Sequence, residues 1–314
     1  MLWTLVLACA QESELPVREG PQELDPNVEP QDTAPSDTGA PQDSGDTGEP
    51  QDSGGSTEQV CYPGPAQDWS VCYPLVPYQS AWGSDYDYPD PLGGSAQYAA
   101  PARYIDLSKV PDPDQALAPN FVLDEFMQEW KGRYALFQPH LVVTLQGLRD
   151  DLGPLAVNSG YRNPAYNAGV GGVTYSRHQY GDAVDLDPVS VSLDSLGSAC
   201  DDADADYVGY YETHVHCDWR NHPLDVEFYD PAPVSGEQRP AALPELQAAL
   251  APRGQAWTAP AQGWDEGEPL REWSAYDAQG RLLVQERTRE FTPPPGSARI
   301  QVVVGRALTL QQSL

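Results

Sequence analysis

Residues 176–187 read SRHQYGDAVDLD, one histidine, one glycine and three aspartates in a run too polar to form a core. His178 and Asp185 stand seven positions apart, with Gly181 between them. A glycine there lets the backbone turn from loop into strand without a Cβ clash, so the imidazole and the carboxylate can converge again on one point. The flanking sequence supports a turn followed by a strand. Upstream, LAVNSGYR (155–162) has strand character and carries Arg162 at its end. It is joined to the polar run by the Gly-rich loop NPAYNAGVGGVTY (163–175). Further back, Leu141, Leu145, Leu148 and Leu152 recur at helical spacing, and Gly153-Pro154 ends that helix. NFVLDEFMQEW predicts a shorter helix entered from Asn120.

A second polar cluster, YVGYYETHVHCDWR, occupies 207–220. Tyr, Val and Thr favour a strand, on which alternate residues share a face, so Glu212, His214, His216 and Asp218 would point the same way. Packing gives little reason to align two imidazoles and two carboxylates. The chain has only five histidines, His140, His178, His214, His216 and His222, and three of them fall in these two clusters. Imidazole nitrogen and carboxylate oxygen are good Zn²⁺ ligands, and a catalytic zinc takes three protein ligands with one position left open. His178, Asp185 and one of the pair His214/His216 would complete such a set.

Taken together, SGYRNPAYNAGVGGVTYSRHQYGDAVDLD (159–187) resembles the D-alanyl-D-alanine metallopeptidases. Their Ser-x-His-x-x-Gly-x-Ala-x-Asp motif is matched by Ser176, His178, Gly181, Ala183 and Asp185. VGYYETHVHCD is similar to the closing motif of the murein endopeptidase branch, in a wider group that includes lysostaphin-type endopeptidases and the hedgehog signalling domain. The resemblance covers about 120–222. It implies a zinc peptidase that cleaves peptide stems or cross-links of peptidoglycan, as a D-Ala-D-Ala carboxypeptidase or a murein endopeptidase. The implied zinc ligands are His178, Asp185 and His216. Arg162 is implied to hold the substrate carboxylate or the developing oxyanion, and Ser176 to support the substrate or the loop. Several relatives carry Glu or Asp three residues before the last ligand, where this chain has Thr213. His214 or Glu212 must then serve as general base, with Asp218 a further candidate. Asp187 or Asp218 would orient a ligand imidazole from outside the metal. The competing reading is a hedgehog-like envelope module that keeps the metal without turnover.

Across its 314 residues the chain carries 47 acidic and 17 basic side chains, a formal charge of −30 that repels nucleic acid and anionic membranes. MLWTLVLACAQESE resembles a lipoprotein signal (1–9), with Cys9 as the lipidated residue and sole membrane anchor of an exported bacterial envelope protein. Residues 10–59 read as a disordered acidic tether. Between Gln11 and Glu58 there are thirteen acids, one base and no aromatic residue, with PQDT or PQDS recurring at 30, 41 and 50. The four remaining cysteines suit an oxidising compartment. Of their three pairings, Cys61–Cys72 with Cys200–Cys217 is expected, and the absence of a Cys-x-x-Cys spacing excludes a zinc finger. The zinc domain is placed at 60–232, with 60–118 as an irregular wrap over its surface. Residues 233–314 read as a small β module of two or three strands in which Arg271, Arg281, Arg287, Arg289, Arg299 and Arg306 gather, a candidate for wall binding or docking with a plain structural appendage as the alternative. The fold expected is α+β, a small antiparallel sheet carrying the zinc site between flanking helices, with the β module appended. The partner expected is a peptidoglycan peptide bound by a monomer.

Overall fold

The computed structural model describes residues 58–229, 244–265 and 267–314. The signal-type segment with Cys9, the acidic tether up to residue 57 and the domain boundary near 233 lie outside the described residues. Among the described residues, no helix is long and apolar enough to cross a membrane.

The fold is α+β, as expected, but residues 60–118 are not an irregular wrap. Strands β1 (Gln59–Tyr62), β2 (Val71–Pro77) and β3 (Arg103–Asp106) join β6 (Tyr134–Ala135) in a sheet of order β1-β2-β3-β6. Between them in the chain, β4 (Ala116–Ala118) and β5 (Phe121–Val122) pair with each other. The strands escape notice because proline and tyrosine break their alternation. Their tyrosines are nonetheless core residues: Tyr62 and Tyr104 are fully buried, beside Val60 and Ile105. Cys61 lies opposite Cys72 in the β1–β2 register, and the two form a disulfide.

The helix expected over 120–130 is a single turn, α1 (Leu123–Phe126), directly after β5. Helix α2 (Pro139–Leu152) forms as its leucine spacing requires. Pro139 sits in the first turn, where its missing N–H costs nothing. Gly153 ends the helix at φ 81°, donating its N–H to the Arg149 carbonyl. Leu141 and Leu145 are completely buried, each contributing about 1.5–3 kcal/mol of burial. Leu145→Ala would cost about 2–5 kcal/mol by opening a cavity.

The sheet that builds the site follows. It comprises β7 (Leu155–Ser159), β8 (Ala183–Pro188), β9 (Tyr207–Tyr210) and β10 (Val215–Asp218) in the antiparallel order β7-β8-β10-β9. Helix α3 (Pro164–Gly169), capped by the Asn163 side chain, lies within the Gly-rich loop. Helix α4 (Leu193–Asp202) is tied to β10 by the Cys200–Cys217 disulfide. Both disulfides are those expected. Residues 207–220 are not one strand: 211–214 form the turn of a hairpin, and Glu212 turns to Arg289 whereas His214 stays near the Asp185 carboxylate.

The C-terminal region is richer in strands than expected. In order these are β11 (Gln247–Ala248), β12 (Ala251–Arg253), β13 (Ala256–Thr258), β14 (Ala261–Gln262), β15 (Arg271–Tyr276), β16 (Leu282–Arg287), β17 (Glu290–Phe291), β18 (Arg299–Val304) and β19 (Leu308–Ser313). The main sheet runs β16-β15-β18-β19. In β18 the alternation is clean, and Ile300, Val302 and Val304 are buried against Trp273 and Phe291. Tyr211, from the β9–β10 turn, belongs to this second core. Several of the arginines gathered here are engaged with carboxylates: Arg289 grips Glu212, and Arg287 and Arg306 both reach Asp194 at the start of α4. They fasten the C-terminal strands to the β9–β10 turn and to α4.

Candidate metal centre

Register does most of the work. Asp185 on β8 lies directly opposite His216 on β10, and in an antiparallel pair opposite residues project to the same face. On its other side Asp185 faces Ser159 of β7. His178 arrives from a short 3₁₀ turn, Arg177–Tyr180, that ends at Gly181 with φ 70°. A Cβ at Gly181 would stand 2.9 Å from both the Leu136 carbonyl oxygen and the Phe137 Cα, so the turn needs glycine for its conformation and for space.

Three donor atoms meet there. His178 Nε2 is 3.2 Å from Asp185 Oδ1, His216 Nδ1 is 2.9 Å from the same oxygen, and the two ring nitrogens are 3.1 Å apart. With metal–ligand distances near 2.0–2.1 Å, the edge of a tetrahedron around Zn²⁺ is about 3.3 Å, so this triangle fits one zinc ion. The far side of each ring agrees. His178 Nδ1 lies 2.7 Å from the Gly160 carbonyl, which can only accept, so the proton sits on Nδ1 and Nε2 presents a lone pair. His216 Nε2 is 3.2 Å from Asp218 Oδ2, and the same logic leaves its Nδ1 free to ligate. Asp218, rather than Asp187, is the carboxylate that orients a ligand; Arg220 clamps it through both oxygens.

Electrostatics favour a cation. Asp185, Asp218 and Asp265 bring three carboxylates against the guanidiniums of Arg162 and Arg220. Burial alone would raise the Asp185 carboxyl, but His178, His216 and Arg162 hold it well below the usual range. Burial, then the charge of Arg162, keeps His178 neutral and ready to ligate. Burial opposes protonation of His216 too, yet Asp185 and Asp218 outweigh it and push its pKa up to about 10. A zinc ion satisfies that demand for positive charge.

The remaining residues singled out from sequence are placed less uniformly. Arg162 is fully buried, with Nε 2.8 Å from Ser159 Oγ and Nη2 2.5 Å from Asp185 Oδ2. It fixes the outer oxygen of Asp185. His214 stacks on Tyr211 at 4.4 Å and 12°, with Nε2 4.0 Å from Asp185 Oδ1. That nitrogen is buried and has no hydrogen-bond partner among the described residues. Glu212 is held by Arg289 at the edge of the β module, away from this cluster. His140 and His222 stack on one another and take no part. Ser176 is buried, and its hydroxyl donates to Asp265 Oδ2 at 2.5 Å.

Asp265 is the residue that sequence reading missed. It comes from the β module, and its carboxylate lies within 4.8 Å of donor nitrogens on His178 and His216. Asp185 remains the better third ligand, since its oxygen already closes a 2.9–3.2 Å triangle with those nitrogens. No local motif marks Asp265; only the tertiary fold carries it to the site.

Residues 119–218 match the family model of Peptidase M15. The chain is also similar to the zinc D-Ala-D-Ala carboxypeptidase of Streptomyces albus G, at 32% identity over 133 residues, which cover 39% of this chain and 48% of that protein. It thus spans about half the length of the curated relative it matches. The matched segment encloses His178, Asp185 and His216 on the sheet just described, so the part of the chain that is similar to the Peptidase M15 family is the part that carries the candidate metal centre.

Proposed function

We propose that the protein is a zinc-dependent peptidase acting on the D-alanyl peptides of peptidoglycan, with removal of a terminal D-Ala as its first candidate reaction. The observation that carries this reading is the convergence of His178 Nε2, Asp185 Oδ1 and His216 Nδ1 inside the family-matched segment. Zinc held by these atoms supplies Lewis-acid polarisation of the scissile carbonyl and activation of water. The chain's own groups do the rest. The Gly160 carbonyl and Asp218 fix the two tautomers, and Arg162 fixes Asp185. His214 is the group suited to accept a proton at Nε2 and return it to the leaving amine. Burial keeps it neutral, Thr213 Oγ1 holds its Nδ1 at 3.1 Å, and Tyr211 fixes the ring plane. Glu212, engaged by Arg289, is the weaker candidate.

Beside the site is a cavity of about 430 Å³, walled by Tyr98, Tyr175, Tyr207 and Tyr211 and reached by His216. That size suits the end of a short peptide rather than a polymer strand. Murein endopeptidase cleavage of a cross-link is the finer alternative. An exported envelope location with a lipid anchor at Cys9 belongs to the same proposal, supported by two disulfides of the kind that persist in oxidising compartments. The test is incubation of zinc-loaded protein with a short N-acetylated peptide ending in D-Ala-D-Ala, followed by assay of free D-alanine. Release that stops on chelation supports the reading. Intact peptide, together with intact purified sacculi, would overturn it in favour of a metal-containing binding module.

A further inference from the structure

The carboxylate of Asp265 is held by a cradle of donors. Ser176 Oγ donates to Oδ2 at 2.5 Å, and the Val173 N–H donates to Oδ1 at 3.3 Å. Arg162 Nη1 lies 3.5 Å from the same Oδ1. A hydroxyl, a backbone N–H and a guanidinium converging on two oxygens make a receptor for a carboxylate. The Asp265 side chain is only 8% exposed there, at the edge of the tyrosine-lined cavity and within 4.8 Å of the histidine donors. Its placement is built in. The neighbouring Trp264 is buried in the core of the β module. Gly263 (φ 88°) passes so close to the Glu245 carbonyl that no side chain would fit. The Asp265 N–H donates to the Tyr211 hydroxyl at 2.8 Å. The module thus presses a carboxylate into a carboxylate receptor beside the metal centre.

We infer that Asp265 is an internal stand-in for the carboxylate of a peptide ligand, so that the C-terminal β module acts as a latch over the site that carboxylate-terminated peptides must displace. This rests on the peptidase reading for the class of ligand, but its test reads binding rather than turnover. Zinc-loaded wild type and Asp265→Asn are titrated calorimetrically with a product-type peptide, N-acetylated and ending in a single D-Ala, and with its C-terminal amide. If the latch is closed in nine molecules of ten, apparent affinity is reduced about tenfold. Asp265→Asn should therefore bind the acid at least about tenfold more tightly, with the amide unchanged and zinc content intact. Acid and amide affinities that both stay at wild-type values would overturn the latch. Loss of zinc in the variant would overturn it too, by making Asp265 a metal donor. A fall in D-alanine release of about 10²-fold with unchanged acid affinity would make it a proton acceptor instead. Should Asp265→Asn not fold, Asp265→Ser removes the carboxylate with a small side chain and is judged by the same acid-to-amide comparison. Failure of hydrolysis alone leaves this comparison standing, so the two proposals fail separately.

Discussion

Asp218→Asn tests how much of the metal centre is built outside the metal ligands. Asp218 is fully buried, accepts from His216 Nε2 at 3.2 Å and is clamped by Arg220. Asparagine keeps the shape and one acceptor oxygen but removes the charge. Loss of such an orienting carboxylate costs about 10–100-fold in metal affinity, or about 1.4–2.7 kcal/mol. A second cost arises because Arg220, itself only 4% exposed, loses its ion pair with Asp218; breaking a buried pair from one side costs about 3–5 kcal/mol. The variant should bind zinc about 10–100-fold more weakly in a chelator competition. It should also melt below wild type when both are metal-free, since the second cost does not involve the ion. The pH dependence has a definite sign. Burial raises the Asp218 carboxyl, but Arg220 and His216 outweigh it and hold it far below its unfolded value. Its contribution is thus present above about pH 4 and is lost as pH falls further. The gap in melting temperature between wild type and variant should close in acid. Wild-type zinc affinity in the variant, or a gap that widens in acid, would refute the reasoning.

Other substitutions separate the roles further. His214→Ala should lower turnover about 10²-fold or more and retain zinc, whereas Glu212→Gln should leave turnover unchanged and cost less than about 1 kcal/mol of stability, its partner Arg289 being exposed. The reverse pattern in steady-state kinetics would exchange the two assignments. Burial and the neighbouring His222 depress the His140 pKa to about 4, below its unfolded value near 6.5. Stability from keeping it neutral is therefore complete above pH 6.5 and is lost as pH falls towards 4, by about 3 kcal/mol at most. His140→Leu should gain on wild type steadily over that window in metal-free melts, and a constant offset would count against it. Removing 244–314 should destabilise the zinc domain, because Tyr211 loses the core it is buried in. An unchanged melting temperature for the remaining domain would show that the module is a detachable appendage.

How far the sequence could be read follows from how local each feature is. His178, Gly181 and Asp185 lie on one short segment, and the reason for the glycine is visible in the spacing alone. Helix α2 was legible from its leucines because a helical period needs no partner. The 207–220 cluster was harder: Tyr, Thr and Val favour extended backbone equally in a strand and beside a hairpin turn. Only pairing with β8 and the second core shows that Tyr211 turns away and takes Glu212 with it. The strands of 59–106 are defined by partners distant in the chain, and their inward residues are tyrosines that read as surface or interface. Asp265 was out of reach for the same reason. Nothing within ten residues of it resembles a metal site, and it matters only because Trp264 anchors it where Ser176 and Arg162 wait. Arg162 itself was identified, but its burial and its grip on Asp185 are tertiary facts.

The central claim is a zinc ion held by His178, Asp185 and His216, and metal content per chain after dialysis tests it most directly. Elemental analysis should give one zinc in wild type, in His214→Ala and in Glu212→Gln, and close to none in His178→Ala and His216→Ala. Stoichiometric zinc in both His178→Ala and His216→Ala, or its loss from His214→Ala with retention in His216→Ala, would contradict the ligand set.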